Sequence, residues 1–274
     1  MTETTGRERR TSRAHFRPSA PRLASRGAGG NAASRPAGWA MALLTSAGVV
    51  QLSMLADTLR PDRPDLGSGY VSELEASGVA GALWLRCGFA LAGALAAAAG
   101  SLMVARTRRH GPLWSGHILE PAAWAALAGY GGCSATADLI PMPCAPHLSA
   151  GCQAGPTGRA LSWTDIAHSV LSTLTVACLL LCTACLVLLW WQASRRDPRL
   201  RGWAARGLAV LVGGLLAESA SGLGIELGLA TGSLSRLAIG FEAVSLLFLA
   251  TAVAPGTFRT TVPASARGGP GTRS

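Results

Sequence analysis

The chain has 274 residues, 49% of them hydrophobic and only 14% charged, with a mean hydropathy of +0.34, too apolar for an ordinary soluble domain of this length. Its net charge is +10, yet every basic residue is Arg. The arginines fall between apolar runs rather than along one stripe, so they report topology, and no nucleic-acid partner is expected.

Residues 1–37 carry eight Arg among Ser, Gly, Ala and Pro without an apolar period. Such a segment cannot bury enough surface to offset the entropy of ordering, and a disordered basic tail is expected, resting against anionic lipid. Arg9 and Arg10 invite a twin-arginine export reading, but no apolar stretch follows closely and no small-residue cleavage site is evident.

A hydrocarbon core of about 30 Å needs about 20 helical residues. Six runs meet that length: 38–57, 79–104, 118–139, 167–191, 203–229 and 234–254. The third opens on Glu120 and Pro121, where a carboxylate suits the helix dipole and Pro needs no donor. The fifth carries Glu218 and Glu226, and its Ala220, Gly224 and Gly228 form a small-residue face suited to a closely packed neighbour. Beyond Pro255 the chain is again Gly, Thr, Pro and Arg, and 255–274 reads as a second disordered tail. The expected architecture is all-α: one six-helix transmembrane bundle over 38–254, with no internal repeat.

Arginine alternates from loop to loop. The first tail, the 105–117 loop and the 192–202 loop are rich in it, whereas 58–78 offsets Arg60 and Arg63 with four acids and 140–166 has only Arg159. The positive-inside rule then places both termini in the cytoplasm, in the cell membrane.

That topology turns scattered polar residues into a spatial expectation. Asp57, Arg86, Asp138, His168, Glu226 and Arg236 all fall in the outer half of their spans, together with Tyr70, Ser72 and Glu73 of the first outer loop. Ionisable groups at such depth need a partner or a function, so Asp138, His168, Glu226, Arg86 and Arg236 are expected to converge in one polar pocket below the 58–78 loop. Arg86 and Arg236 could equally pair with Asp138 and Glu226 simply to hold helices together. The inner half offers fewer ionisable groups: Glu120, Arg206 and Glu242.

Asp165 follows Ser162 at capping-box spacing, which favours a cap over a ligand. His168 lies one turn further on the same face, where Asp165 could orient it. Cys144 and Cys152 share one outer loop and are candidates for a disulfide on the oxidising side. Cys178, Cys182 and Cys185 share one face of an apolar helix and read as packing residues. No metal site is expected, the sequence names no cofactor, and no P-loop, H-E-x-x-H, G-x-S-x-G or dinucleotide fingerprint is present.

Four short motifs carry a resemblance: YVSELEA at Tyr70–Ala76, Asp138 followed by a Pro-containing loop, D-x-x-H at Asp165–His168, and SRLAIG at Ser235–Gly240. On these the chain resembles the DUF998 family of bacterial six-span membrane proteins of unknown function, over residues 38–254. Where that family's last motif has an acidic residue before the Arg, this chain has Ser235. The resemblance implies fold and topology and carries no activity.

Three functions remain open. A polar outward-facing pocket could bind a lipid or small amphiphile, or serve a membrane accessory role, with membrane lipids as partners. An intramembrane hydrolase or cyclase could use Asp138, His168 and Glu226 as acid, base or ligands, although a lone His argues against a metal hydrolase. A small proton-coupled transporter could run through Glu218.

Overall fold

The computed structural model describes residues 29–60, 70–112, 118–143, 145, 162–195, 197–226 and 231–254. All regular structure among them is helical. The elements are α1 (Gly29–Asp57), α2 (Val71–Leu74), α3 (Ala82–His110), α4 (Leu119–Leu139), α5 (Trp163–Ala193), α6 (Arg199–Glu226) and α7 (Thr231–Val253). The expected tails lie outside the described residues, except that 29–37 form the first turns of α1. Cys144 and Cys152 also lie outside them, so the disulfide expectation has no structural counterpart here.

Five of the six long helices, α1, α3, α5, α6 and α7, are long and apolar enough to cross a membrane. The exception among the expected spans is α4, which has the length but not the hydropathy. Its composition follows from its place. Each long helix packs on its sequence neighbours and α1 meets α7, which closes a ring, and α4 is wedged between α3 and α5. There it needs small residues more than greasy ones.

The α3–α4 contact explains this directly. A Cβ on Gly93 would stand 2.7 Å from Ala135 N, and one on Gly100 would stand 2.5 Å from Ala128 N. A Cβ on Gly131 would collide with the backbone of Gly93 and Ala97. Backbones therefore touch, and dispersion over that contact replaces the attraction that apolar side chains cannot supply inside lipid. This close approach lies on α3 and α4, whereas the sequence pointed to the small residues of α6. On α6 the tight positions are Gly207, against Val187 and Trp190, and Gly213, against Phe241; Gly228 lies outside the described residues.

The main core runs through Leu44, Met103, Trp124, Leu127, Leu186 and Leu246. At its arginine-rich end, Trp190 of α5, Trp203 of α6 and Phe248 of α7 pack in tilted and edge-to-face pairs with ring centroids 5.7–6.1 Å apart. Cys182 and Cys185 are buried in this core, and Cys178 packs against it. At the opposite end the segment around α2 turns inward. Val71 and Leu74 of α2 pack with Met54, Leu85 and Phe89 in a second apolar cluster, so the four-residue helix plugs the ring. Val71 N donates to Ser235 Oγ at 3.1 Å, and Ser77 N donates to Met142 O at 2.9 Å.

Candidate functional site

Below α2 the ring encloses a cavity of about 210 Å³, to which every long helix contributes a lining residue. Gln51 comes from α1, Phe89 from α3, Asp138 from α4, His168 from α5, Glu218 from α6 and Glu242 from α7. Tyr70, Ser72 and Glu75 close it from the α2 side. Ser134, Thr175 and Ser235 add hydroxyls, so the wall is polar over much of its height.

His168 is buried, and its Nδ1 lies 3.1 Å from the carbonyl oxygen of Ala137. In the neutral ring, with Nδ1–H donating there, Nε2 is left as an acceptor. Asp165 does not orient it. Asp165 N donates to Ser162 Oγ at 3.2 Å and Ser162 N donates to Asp165 Oδ2 at 3.0 Å, so Asp165 belongs to the capping box that starts α5. The orienting group sits on α4, a contact that sequence spacing along α5 cannot reveal.

Asp138 takes a 3.4 Å hydrogen bond from Ser134 Oγ, one turn earlier. Arg86 reaches the same residue at its backbone: Nε donates to Asp138 O at 2.9 Å and a terminal nitrogen donates to Leu139 O at 2.7 Å. The guanidinium thus satisfies carbonyls that the end of α4 leaves open and sits at the negative end of that helix's dipole.

Arg236 is also occupied elsewhere. Its Nε donates to Thr58 Oγ1 at 3.2 Å and NH1 donates to Gly232 O at 2.9 Å, which ties the start of α7 to the end of α1. Neither arginine lines the cavity. Glu73 is buried on α2 but lies outside the lining, and the side chain of Glu226 is outside the described set. Of the candidate residues, the fold therefore brings Ser72, Asp138 and His168 to one cavity and gives Arg86, Arg236 and Asp165 to helix ends.

Deeper in the cavity lies a group that the depth argument assigned to the inner half. Gln51 Nε2 donates to Glu242 Oε2 at 2.9 Å, and Tyr130 OH lies 3.2 Å from Glu242 Oε2 and 3.3 Å from Gln51 Oε1. The sequence did carry a signal: Gln51, Tyr130 and Glu242 are polar groups within long helical runs. Only ring closure, which sets α1 beside α7, shows that they meet.

Glu75, also absent from the sequence expectation, is 5% exposed and follows α2 directly. Burial, and secondarily the charge of Asp138, push its carboxyl well above the ordinary carboxylate range, with Arg86 pulling the other way. Glu75, Asp138, Glu218 and Glu242 thus present four carboxyl groups to one cavity, and no arginine lines it. No three His, Cys, Asp or Glu among the described residues stand close enough to share one metal ion.

The cavity shares Val176, Glu218, Ala238 and Glu242 with a narrow crevice of about 20 Å³ between α5, α6 and α7. The crevice walls are Leu179, Leu180, Val210, Leu211 and Phe241. A polar chamber therefore runs into an apolar slot on the side of the least buried span.

A family model described as a protein of unknown function (DUF998) matches residues 44–252. No curated protein and no solved structure matches the chain.

Proposed function

The chain belongs to the DUF998 family, and from that premise we propose that this membrane protein binds a lipid or small amphiphile, polar head in the cavity and tail between α5, α6 and α7. The observation that carries the reading is the continuity of the two spaces through Val176, Glu218, Ala238 and Glu242. Binding sites of this kind are concave and mostly apolar, with a few convergent polar groups that fix orientation. Trp190, Trp203 and Phe248 hold α6 at the far end, so small movements of α6 near Glu218 would admit a chain.

The test is lipid analysis of the full chain purified in mild detergent. An amphiphile is expected to copurify at a fixed ratio and to be lost from Ala238→Trp, which fills the junction of the two spaces. Equal retention by that variant would overturn the reading.

We further propose six spans with both termini cytoplasmic, α2 facing outward, and the cell membrane as the location, on the support of the arginine alternation. Labelling of single cysteines from outside intact cells should mark the 140–166 loop and spare 105–117. The reverse pattern would invert the topology.

A second reading, acid–base chemistry, is favoured by Asp138 and His168 lining the same cavity. It predicts that His168→Ala stops any turnover of the bound molecule, a larger effect than its effect on binding.

A further inference from the structure

We infer that the head group held in this cavity is an organic cation, an ammonium or guanidinium carried by the amphiphile; this rests on the amphiphile-binding reading above. Four carboxyl groups line the space, and the two nearby guanidinium groups are committed to backbone carbonyls and to Thr58. Glu75 supplies the independent observation. It is 5% exposed and lines the cavity, and among the described residues its carboxyl feels Arg86 and Asp138 only through their charges, without a hydrogen bond.

The Glu75 carboxyl faces the cavity, and a donor-bearing ligand there would give it a partner. Ammonium and guanidinium groups carry only donors, so they match a wall of carboxylates, carbonyls and hydroxyls.

The spacing selects the class of cation further. Because no three ligating side chains among the described residues approach one point, they do not suit a single compact metal ion. The acids come instead from the end of α2 and from α4, α6 and α7. An organic head group with several N–H donors can meet more than one of them. A phosphate or carboxylate head would find no arginine in the lining to pair with.

The experiment measures saturation binding of radiolabelled dodecylamine, dodecanol and dodecanoate to the full chain in dodecyl maltoside micelles, with butylamine as a competitor lacking the tail. Dodecylamine is expected to bind saturably and the other two far more weakly. Glu75→Gln and Glu218→Gln should each weaken dodecylamine by about tenfold, the loss of one charge-assisted contact, and Glu75→Asp should restore most of it. Size-exclusion profiles matching the unmodified chain confirm that the variants fold.

If dodecanol or dodecanoate binds as tightly, the cationic head group is overturned and amphiphile binding stands. If butylamine competes as well as dodecylamine, cation recognition stands and the amphiphile reading falls. If none of the probes saturates, both fall.

Discussion

At the arginine-rich end of the bundle, Arg106 of α3 and Glu120 of α4 are 8% and 0% exposed and lie 4.0 Å apart. Trp124 Nε1 donates to the same carboxylate at 3.4 Å, and Arg106 also reaches Gly111 O at 3.3 Å. At the α2 end, Glu75, Asp138, Glu218 and Glu242 line an open cavity, and the nearest arginines bond to backbone carbonyls and a threonine. Both ends bury charge-bearing groups. One sets an acid 4.0 Å from a base; the other gathers acids around a space. Removing a group from the first leaves a buried charge without its mate, whereas neutralising a group in the second relieves repulsion and desolvation. The contrast separates a clamp from a chamber.

The largest effect should come from breaking the clamp. Glu120→Ala strands Arg106 and is expected to cost about 3 kcal/mol of stability, read as a fall in the thermal midpoint of the detergent-solubilised protein. Arg106→Met combined with Glu120→Leu removes both charges and should recover much of the loss. If Glu120→Ala melts like the unmodified chain, the pair is not a clamp.

Next in size is Gly131→Val, which pushes α4 off α3 where backbones touch. Overpacking of this kind costs about 1–3 kcal/mol, and because Asp138 rides on the same helix, amphiphile binding should weaken alongside the midpoint. Gly132, whose added Cβ would meet open space, is the control: Gly132→Ala should be neutral or mildly stabilising. Comparable losses at both positions would deny the close approach.

The smallest effect has the opposite sign. The folded chain holds the Glu75 proton to higher pH than the unfolded chain does, because burial and Asp138 raise its carboxyl above the ordinary 4.5. The unfolded state therefore carries fewer protons from about that pH upward. Stability should fall as pH rises, until the folded Glu75 ionises as well, and level off beyond. Glu75→Gln should flatten this part of the profile and raise the midpoint at neutral pH, while Asp138, Glu218, Glu242, His168 and Arg86 keep their own contributions. A variant that melts lower at neutral pH, with the slope unchanged, would make Glu75 a structural acceptor and move it out of the chamber.

The sequence by itself determined the helices, because apolar length against bilayer thickness is a one-dimensional property, and it determined the α5 cap, because Ser162 and Asp165 are three residues apart and bond locally. It also located Asp138 and His168 near one level of the bundle, since depth follows from position along a span. Direction around each helix axis was not legible. That direction decided that Arg86 meets the carbonyls of α4, that Arg236 turns to Thr58, and that His168 leans on Ala137 rather than Asp165. Closing the ring between α1 and α7 brought Gln51 to Glu242, 191 positions apart, and folding α2 inward placed Glu75 at the cavity that Asp138 lines. Those contacts depend on how the helices are rotated and packed. Rotation is set by which small residues let backbones touch, as at Gly93, Gly100 and Gly131, and no local spacing records it.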